Sequence, residues 1–545
     1  MSKKLIKSGL IVSVMTLISR VLGLVRDVVI ANVMGTGVMA DVFLFANKIP
    51  NFFRRLFAEG AFAQAFVPVL SEYQVKDEQQ GEHKGENLNK KSGEKSAEQN
   101  NHEQTRLLIA QVSGTLGVII TGVTLFGMLA SPLFVMLFGF GWFVDWFNDA
   151  PGGEKFTLAN NLLSITFPYL WFISFAALSG AILNTMGRFA VAAFTPVLLN
   201  IAIISMAIYG APYTESPAHA LAWGVFLGGL IQFLFQIPFL YKAGMLVKPK
   251  WAWRSEGVTK IRKLIVPALF GVSVTQINLL LDTLIASFLI TGSISWLYYA
   301  DRLLEFPLGL FGIGIATVVL PSLAKLHSKN NPAEFSATLD WGIRVICLFG
   351  WPALAGLMVL AQPIIMVLFM RGEFSQHDVT QVSMALFAYL SGLLSFMFIK
   401  ILAPGYYARQ DTKTPVKIGI KAMVANMAFN LMLAPFFGYV GLAIATTLSA
   451  TLNAWLLYRG LKAKGVYELS TKTLIFIGKL VLSACVMALV VYQLSSDFDV
   501  WLAMSFLDQV QQLTICIILG VVSYLVMIIL LGIRFSDFKV LKDEK

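Results

Sequence analysis

Apolar runs of roughly 20 to 30 residues recur along nearly the whole chain, separated by short polar connections. That length suits a membrane-spanning α-helix, whereas a membrane β-strand would show about ten residues of alternating polarity. Helices and closed barrels are the structures that satisfy every backbone polar group in hydrocarbon. The pattern predicts an all-α polytopic membrane protein of about 14 transmembrane helices. They fall near 5–33, 39–72, 107–138, 157–185, 191–209, 218–241, 264–290, 295–324, 338–369, 379–407, 416–435, 439–458, 473–493 and 507–532. The opening MSKKLIKSGLIVSVM could be a cleaved signal peptide. No small-residue cleavage site follows it, and Arg20 and Arg26 interrupt the apolar stretch, so it reads as a retained first helix.

One connection is different in kind. VKDEQQGEHKGENLNKKSGEKSAEQNNHEQ, residues 75–104, carries charges of both signs and few apolar residues. It reads as a disordered cytoplasmic insertion, tolerated rather than regulatory.

The chain repeats itself. FANKIPNFFRRLFAEGAFAQAFVPVLSEY, from Phe45, aligns with YADRLLEFPLGLFGIGIATVVLPSLAKLH, from Tyr299. Ala46 meets Ala300 at an offset of 254, Lys48 meets Arg302, Phe57 meets Phe311, and Pro68 meets Pro321 after a one-residue gap. Pro196 meets Pro415 at an offset of 219, and the 35-residue difference is about the length of the polar insertion. Helices 1–6 and 7–12 thus read as two six-helix, pseudo-symmetric lobes, with two extra C-terminal helices. The equivalent helices lie an even number apart, so the copies run in the same direction. Transporters built from such parallel repeats hold substrate between the lobes and expose it to each side in turn. The expected domains are an N-lobe at 1–245, a C-lobe at 246–465 and the last two helices at 466–545.

Composition agrees with a membrane protein. The chain of 545 residues is 57% hydrophobic, with a mean hydropathy of +0.72, and only 13% is charged. A soluble domain averages about 25%. Cys347, Cys485 and Cys516 lie in apolar runs and suit packing better than disulfides or a metal. The net charge of +11 could suggest nucleic acid, but its placement points to membrane topology instead. Lys242, Lys248, Lys250, Arg254, Lys260, Arg262 and Lys263 crowd one connection. Arg409, Lys413, Lys417 and Lys421 occupy another, and Arg459, Lys462, Lys464 and Lys472 a third. On the opposite side Lys155 and Arg371 stand alone. This alternation places both termini in the cytoplasm.

Charges inside the spans carry the functional signal, because they are costly there and usually face a cavity. The first two helices contain Arg20, Arg26, Asp27, Asp41, Lys48, Arg54, Arg55 and Glu59. Later spans contain Asp282, Asp301, Arg302, Glu305 and Lys400. Arg20 lies about 22 Å along helix 1, and Arg54 and Arg55 about 20 Å along helix 2, too deep for all of them to reach an interface. Some can pair: Arg26 adjoins Asp27, and Arg55 and Glu59 share a face at i,i+4. Pairing does not account for the set, since five basic residues meet three acidic ones. A buried positive surplus implies an anionic ligand. The planar fork of arginine suits phosphate or carboxylate oxygens.

Enzyme motifs are absent from the sequence: there is no Walker loop, no HExxH and no Cys/His cluster. The glycines of GLFGIGIA, near Gly309, sit in an apolar run and permit close packing or a bend. No cofactor is expected. Without a nucleotide-binding loop, transport energy must come from an ion gradient, the membrane potential or removal of product.

The segments ISRVLGLVRDVVIA, MADVFLFANKIPNFFRRLFAEGAFAQAFVPVL, SWLYYADRLLEFPLGLFGIGIATVVLPSL and APGYYARQDTKTPVKI resemble the MurJ (MviN) lipid II flippase family. That family belongs to the multidrug/oligosaccharidyl-lipid/polysaccharide exporter superfamily. The resemblance implies a flippase that moves undecaprenyl-pyrophosphate-linked disaccharide-pentapeptide across the bacterial plasma membrane for peptidoglycan synthesis. It implies a substrate site comprising Arg20, Arg26, Asp41, Arg54 and Arg302, and Arg55 and Glu59 join it from the charge pattern. It implies a groove for the polyprenyl tail on the last two helices. It also suggests a cation site, for Na+ or another monovalent ion, with Asp282, Asn426, Asn430 and Thr446 as candidate ligands. Asn430 stands where some relatives have an aspartate, which weakens that site. The implied partners are lipid II and membrane lipids, with the peptidoglycan synthesis machinery as a further candidate. Three alternatives stay open. A drug exporter of the superfamily should show an acidic cavity, and a membrane glycosyltransferase should show larger outward loops. A flippase for another polyprenyl-linked sugar is separated by the motif match alone.

Overall fold

A computed structural model describes residues 3–56, 61–85 and 103–534 of the chain. Every regular element among them is helical. Their packing divides the chain into two compact units, Met1–Phe288 and Leu289–Lys545.

The first unit contains α1 (Lys3–Met34), α2 (Val38–Arg54), α3 (Ala61–Gly85), α4 (Glu103–Leu129), α5 (Ser131–Phe138) and α6 (Phe140–Phe147). It continues with α7 (Glu154–Thr166), α8 (Tyr169–Thr185), α9 (Phe189–Ser205), α10 (Pro217–Lys242) and α11 (Glu256–Ala286). Helix α1 lies along α9, α9 along α10, and α10 along α8; α3 packs on α4 and α11. One buried cluster joins Phe62, Phe66, Val69 and Leu70 of α3 to Leu108 and Val112 of α4 and Ile261 of α11. Lipid tails are as apolar as these side chains, so this core gains from close packing more than from leaving water.

The second unit contains α12 (Ser293–Pro307), a π turn at Leu308–Gly312, α13 (Ile313–Ser328), α14 (Pro332–Phe369), α15 (Gln376–Leu390) and α16 (Leu393–Tyr407). Then follow α17 (Lys413–Ala463), α18 (Thr471–Leu494), α19 (Phe498–Ala503) and α20 (Phe506–Leu530). Helices α15 and α16 meet at a 40° bend. The 51 residues of α17 are two helices joined at Gly438, whose φ of 56° and ψ of −135° fall where residues with a Cβ are strained. This matches the separate helices expected at 416–435 and 439–458. Asp411 precedes α17. The Lys464 ammonium, 2.8 Å away, and the two bonds from Thr414 hold its carboxyl down to about 2.

Among the described residues, nine helices are long and apolar enough to cross a membrane, or ten if the bent pair is one span. Among the described residues, the segments expected at 5–33, 39–72 and 264–290 correspond to α1, to α2 and α3, and to α11, which ends at Ala286.

Two expectations need correction. The repeat places the lobe boundary after residue 245, but packing places it between Phe288 and Leu289. The cause is α11, which packs on α3 and exchanges side-chain hydrogen bonds with α2. The insertion is also shorter than 75–104, because α3 continues as helix through Gly85. Buried Asp77 ties this extension to the start of α4: its carboxylate accepts from the Gln104 N–H at 3.2 Å, the Thr105 N–H at 2.9 Å and the Thr105 hydroxyl at 2.6 Å. Those amides belong to the first turn of a helix, which has no partner of its own for them.

The last helices, outside the repeat, are fastened to the second unit through α14. Asp340 Oδ2 accepts from Thr473 Oγ1 at 2.6 Å, and Asp340 Oδ1 from Tyr467 Oη at 3.0 Å. Arg344 Nη2 lies 2.9 Å from the same carboxylate and also donates to Thr473. Tyr524 Oη of α20 donates to the Leu348 carbonyl at 2.8 Å.

Candidate functional site

Five charged residues of the first unit, Arg26, Asp27, Lys48, Arg54 and Arg55, are held in two polar frameworks. The first joins α1 to α9. Arg26 Nε and Nη2 donate to Asp27 Oδ1 at 3.0 and 2.7 Å, and Nη1 donates to Asn200 Oδ1 at 3.0 Å. Asn200 Nδ2 in turn donates to the Ser19 carbonyl at 3.1 Å. Asp27 is 2% exposed, so its charge depends on Arg26, and removing one partner of such a buried pair costs about 3–5 kcal/mol. The expected Arg26–Asp27 pairing is present. It fixes the plane of the guanidinium together with Asn200, a residue the charge pattern could not reveal.

The second framework joins α2 to α11. Lys48 Nζ donates to Thr283 Oγ1 at 3.1 Å, and Arg55 Nη1 donates to Gln276 Oε1 at 3.2 Å. Lys48 and Arg55 are seven residues apart, as are Gln276 and Thr283, so the pairs follow one antiparallel register on two facing stripes. Between them, Arg54 Nε donates to Asn51 Oδ1 at 2.9 Å, and Asn51 Nδ2 donates to the Asn47 carbonyl at 2.8 Å. Hydrogen bonds to a charged group contribute about 1.5–3 kcal/mol each, so this seam fixes α2 as well as its cations. The backbone leaves α-helical form at Arg55 and Leu56, where it enters a π turn. Such turns widen a helix and recur at functional sites.

Of the other expected residues, Arg20 is exposed on α1, and Asp41 is buried in the first turn of α2, where the helix dipole favours an anion. Glu59, with its expected pairing to Arg55, lies outside the described residues. In the second unit, Arg302 Nη1 donates to Glu305 Oε2 at 2.9 Å, and its guanidinium lies over the Tyr298 ring at 4.9 Å.

Three of the four candidate cation ligands come together. Asn430 Nδ2 donates to Asn426 Oδ1 at 3.0 Å, and Asn426 Nδ2 lies 3.5 Å from both Thr446 Oγ1 and Ser449 Oγ. Asp282 is on α11 of the first unit, where Asn278 Nδ2 donates to its Oδ2 at 3.4 Å. The α17 cluster is neutral, and its amide hydrogens point at the hydroxyls. A cation needs converging oxygens, preferably charged ones. The Asn426 amide faces both hydroxyls, and the Asn430 amide faces Asn426 Oδ1. Among the described residues no group of three or more His, Cys, Asp or Glu could hold a metal.

An open apolar groove of about 570 Å³ runs between α18 and α20, lined by Leu489, Val490, Leu494, Leu519 and Val522 with Gln493 and Ser523.

Comparison with known proteins shows the family and the fold. Residues 30–511 match the family model described as lipid II flippase MurJ. A probable lipid II flippase MurJ of Vibrio cholerae serotype O1 is 60% identical, over 99% of this chain and 98% of the relative. The lipid II flippase MurJ of Burkholderia cenocepacia is 39% identical, over 98% of this chain and 99% of the relative. A solved structure titled lipid II flippase MurJ, inward closed conformation, superposes with a TM-score of 0.75 at 28% identity, covering 95% of this chain and 98% of that one. An inward-facing multidrug resistance MATE transporter of the MOP superfamily shares the fold, with a TM-score of 0.63 at 15% identity over 82% of this chain and 94% of its own. With two helical units, intramembrane arginines and a match over nearly its whole length, the chain belongs to the lipid II flippase MurJ family.

Proposed function

We propose that the protein flips lipid II from the cytoplasmic to the outer leaflet of the bacterial inner membrane by alternating access, without covalent chemistry. The observation that carries this reading is the guanidinium of Arg26, held in plane by Asp27 and Asn200 within an apolar helix. A guanidinium oriented in this way can donate to a phosphate oxygen, and lipid II presents a pyrophosphate. Arg54 and Arg20 are the further headgroup candidates of the first unit, together with Asp41, Arg55 and Glu59. Arg302 is the candidate of the second unit. The partly buried setting strengthens these contacts relative to water.

The groove between α18 and α20 is the proposed seat of the polyprenyl tail, because it offers an almost wholly apolar surface. Lysine and arginine in the connections place both termini in the cytoplasm. An ion gradient or the membrane potential supplies the energy. Asp282, near the middle of its apolar stretch, is the candidate for coupling to it, through Na+ or another monovalent cation.

The deciding experiment is depletion of the protein in its host, followed by assay of the polyprenyl-linked precursors on each leaflet. Accumulation of lipid II on the inner leaflet supports the reading. Accumulation of a different polyprenyl-linked sugar, with lipid II distributed normally, overturns it.

A further inference from the structure

Between α10 and α11 the chain runs as a strap without regular structure, residues 245–252. The strap is pinned to α4. The Lys250 N–H donates to the Ala110 carbonyl at 2.8 Å, and the Ala252 N–H donates to Thr115 Oγ1 at 3.3 Å. A Cβ on Gly114 would stand 2.3 Å from the Lys250 carbonyl carbon and oxygen, so the backbone can lie this close only over glycine. Met245, at the start of the strap, is buried in the α3–α4 core.

With its backbone fixed, the strap turns a distinctive set of side chains outward. Trp251 is 58% exposed and Trp253 is 39% exposed. Their rings lie parallel within 9°, with centroids 6.0 Å apart, and the Arg262 guanidinium sits 4.3 Å from the Trp253 centroid. Lys248, Lys250 and Arg254 are exposed around them. Residues 242–263 contain seven basic side chains and one acidic one, Glu256. Lys260 is engaged by Glu72, which also pairs with Lys76 at 3.1 Å. The strap joins the ends of two apolar helices, so it lies at the face of the membrane.

Two indoles turned to water leave a large apolar surface uncovered, whereas at a membrane–water interface the ring sits in the boundary layer with its N–H toward water. Clustered lysine and arginine beside that layer attract anionic headgroups. We propose that this strap is a binding surface for anionic phospholipid. Trp251 and Trp253 enter the boundary layer, and Lys248, Lys250 and Arg254 contact the headgroup phosphates. Pinning to α4 sets the depth at which the first unit rides in the bilayer. This surface is separate from the arginines assigned to the transported lipid, and its test does not require flipping.

The test uses the full chain in proteoliposomes containing brominated phosphatidylglycerol or brominated phosphatidylcholine. The difference in tryptophan quenching between the unmodified chain and the W251F/W253F variant isolates the strap. The expected result is at least twofold stronger quenching of that signal by the anionic lipid, reduced toward equality at about 1 M salt, where screening acts within about 3 Å. In the K248Q/K250Q/R254Q background, which keeps both indoles, the preference should vanish while quenching by the zwitterionic lipid persists. Equal quenching by the two lipids in the unmodified chain would overturn the proposal, as would no quenching of the strap in either. Should the phenylalanine variant fail to elute as a single species, the lysine–arginine variant alone decides through its loss or retention of lipid preference.

Discussion

Helices α2 and α12 are the corresponding helices of two sequence repeats, and they break at corresponding places. The first enters a π turn at Arg55 and Leu56, and the second at Leu308–Gly312, just where Phe57 aligns with Phe311. Their charges are handled differently. Lys48, the counterpart of Arg302, reaches Thr283 on α11, and Arg55 reaches Gln276 there. Thr283 and Gln276 are neutral acceptors that orient these cations from a second helix. Arg302 instead bonds Glu305 on its own helix and rests on Tyr298. That pair is 36% and 51% exposed by side chain, so it contributes little stability. The repeat thus keeps a backbone break while the positive surplus concentrates in one copy. The backbone device belongs to both units, and the cross-helix hydrogen bonds to α11 belong to the first.

The sharpest way to break this comparison is at Arg26. Arg26→Ala should lower lipid II transport in proteoliposomes at least tenfold, since a lost charge-assisted bond costs about 1.5–3 kcal/mol and each 1.4 kcal/mol is tenfold. The same variant removes the guanidinium beside buried Asp27, so membrane levels must be measured beside transport. Arg26→Lys keeps the charge and separates the two effects. Normal transport by both variants would remove Arg26 from the site.

Lysine replacement also grades the two units. Arg26 joins Asp27 and Asn200 across two helices, whereas Arg302 bonds Glu305 on its own helix and rests on Tyr298. Arg302→Ala should reduce transport severalfold or more, and Arg302→Lys should restore a larger share than Arg26→Lys does. Equal tolerance of lysine at both positions would show that the fork geometry of Arg26 has no special role.

Asn200→Ala should give a smaller loss, a few-fold, by releasing one edge of the guanidinium. If Asn200 acts through Arg26, its effect should largely disappear in the Arg26→Lys background, as a double-mutant cycle would read. Additive losses would make Asn200 a packing residue only.

These contacts mark where the sequence was legible. Span length and the repeat predicted the helical class, and the apolar pattern separated the two helices that meet at Gly438. Charges in apolar runs singled out Arg26 and Arg54, because burial of charge is expensive in any context. Asn200, Gln276 and Thr283 were not singled out: neutral polar residues in a span are common, and only packing shows which one faces an arginine. The unit boundary was missed for a related reason. Sequence repetition shows which helices correspond, but the side chains of α11 decide where that helix packs. The strap at 245–252 was visible as a basic connection only, since its fixed path depends on Gly114, more than a hundred residues away.

The smallest effect is expected in the polar insertion, and here the two ends of the segment should behave differently. Replacing residues 86–102 with a Gly/Ser linker removes half of its charged residues but keeps the end of α3 and the start of α4. Transport and thermal stability should stay near those of the unmodified chain. Replacing all of 75–104 also removes Asp77, whose carboxylate satisfies two backbone amides and a hydroxyl at the start of α4. Loss of such a cap costs about 0.5–2 kcal/mol, so that variant should melt at a lower temperature while still transporting. Asp77→Ala alone should reproduce the same shift. If the 86–102 replacement is folded and inserted yet cannot flip lipid II, the segment has a role in transport rather than being a tolerated insertion. If Asp77→Ala melts like the unmodified chain, the helical extension through Gly85 does not support α4.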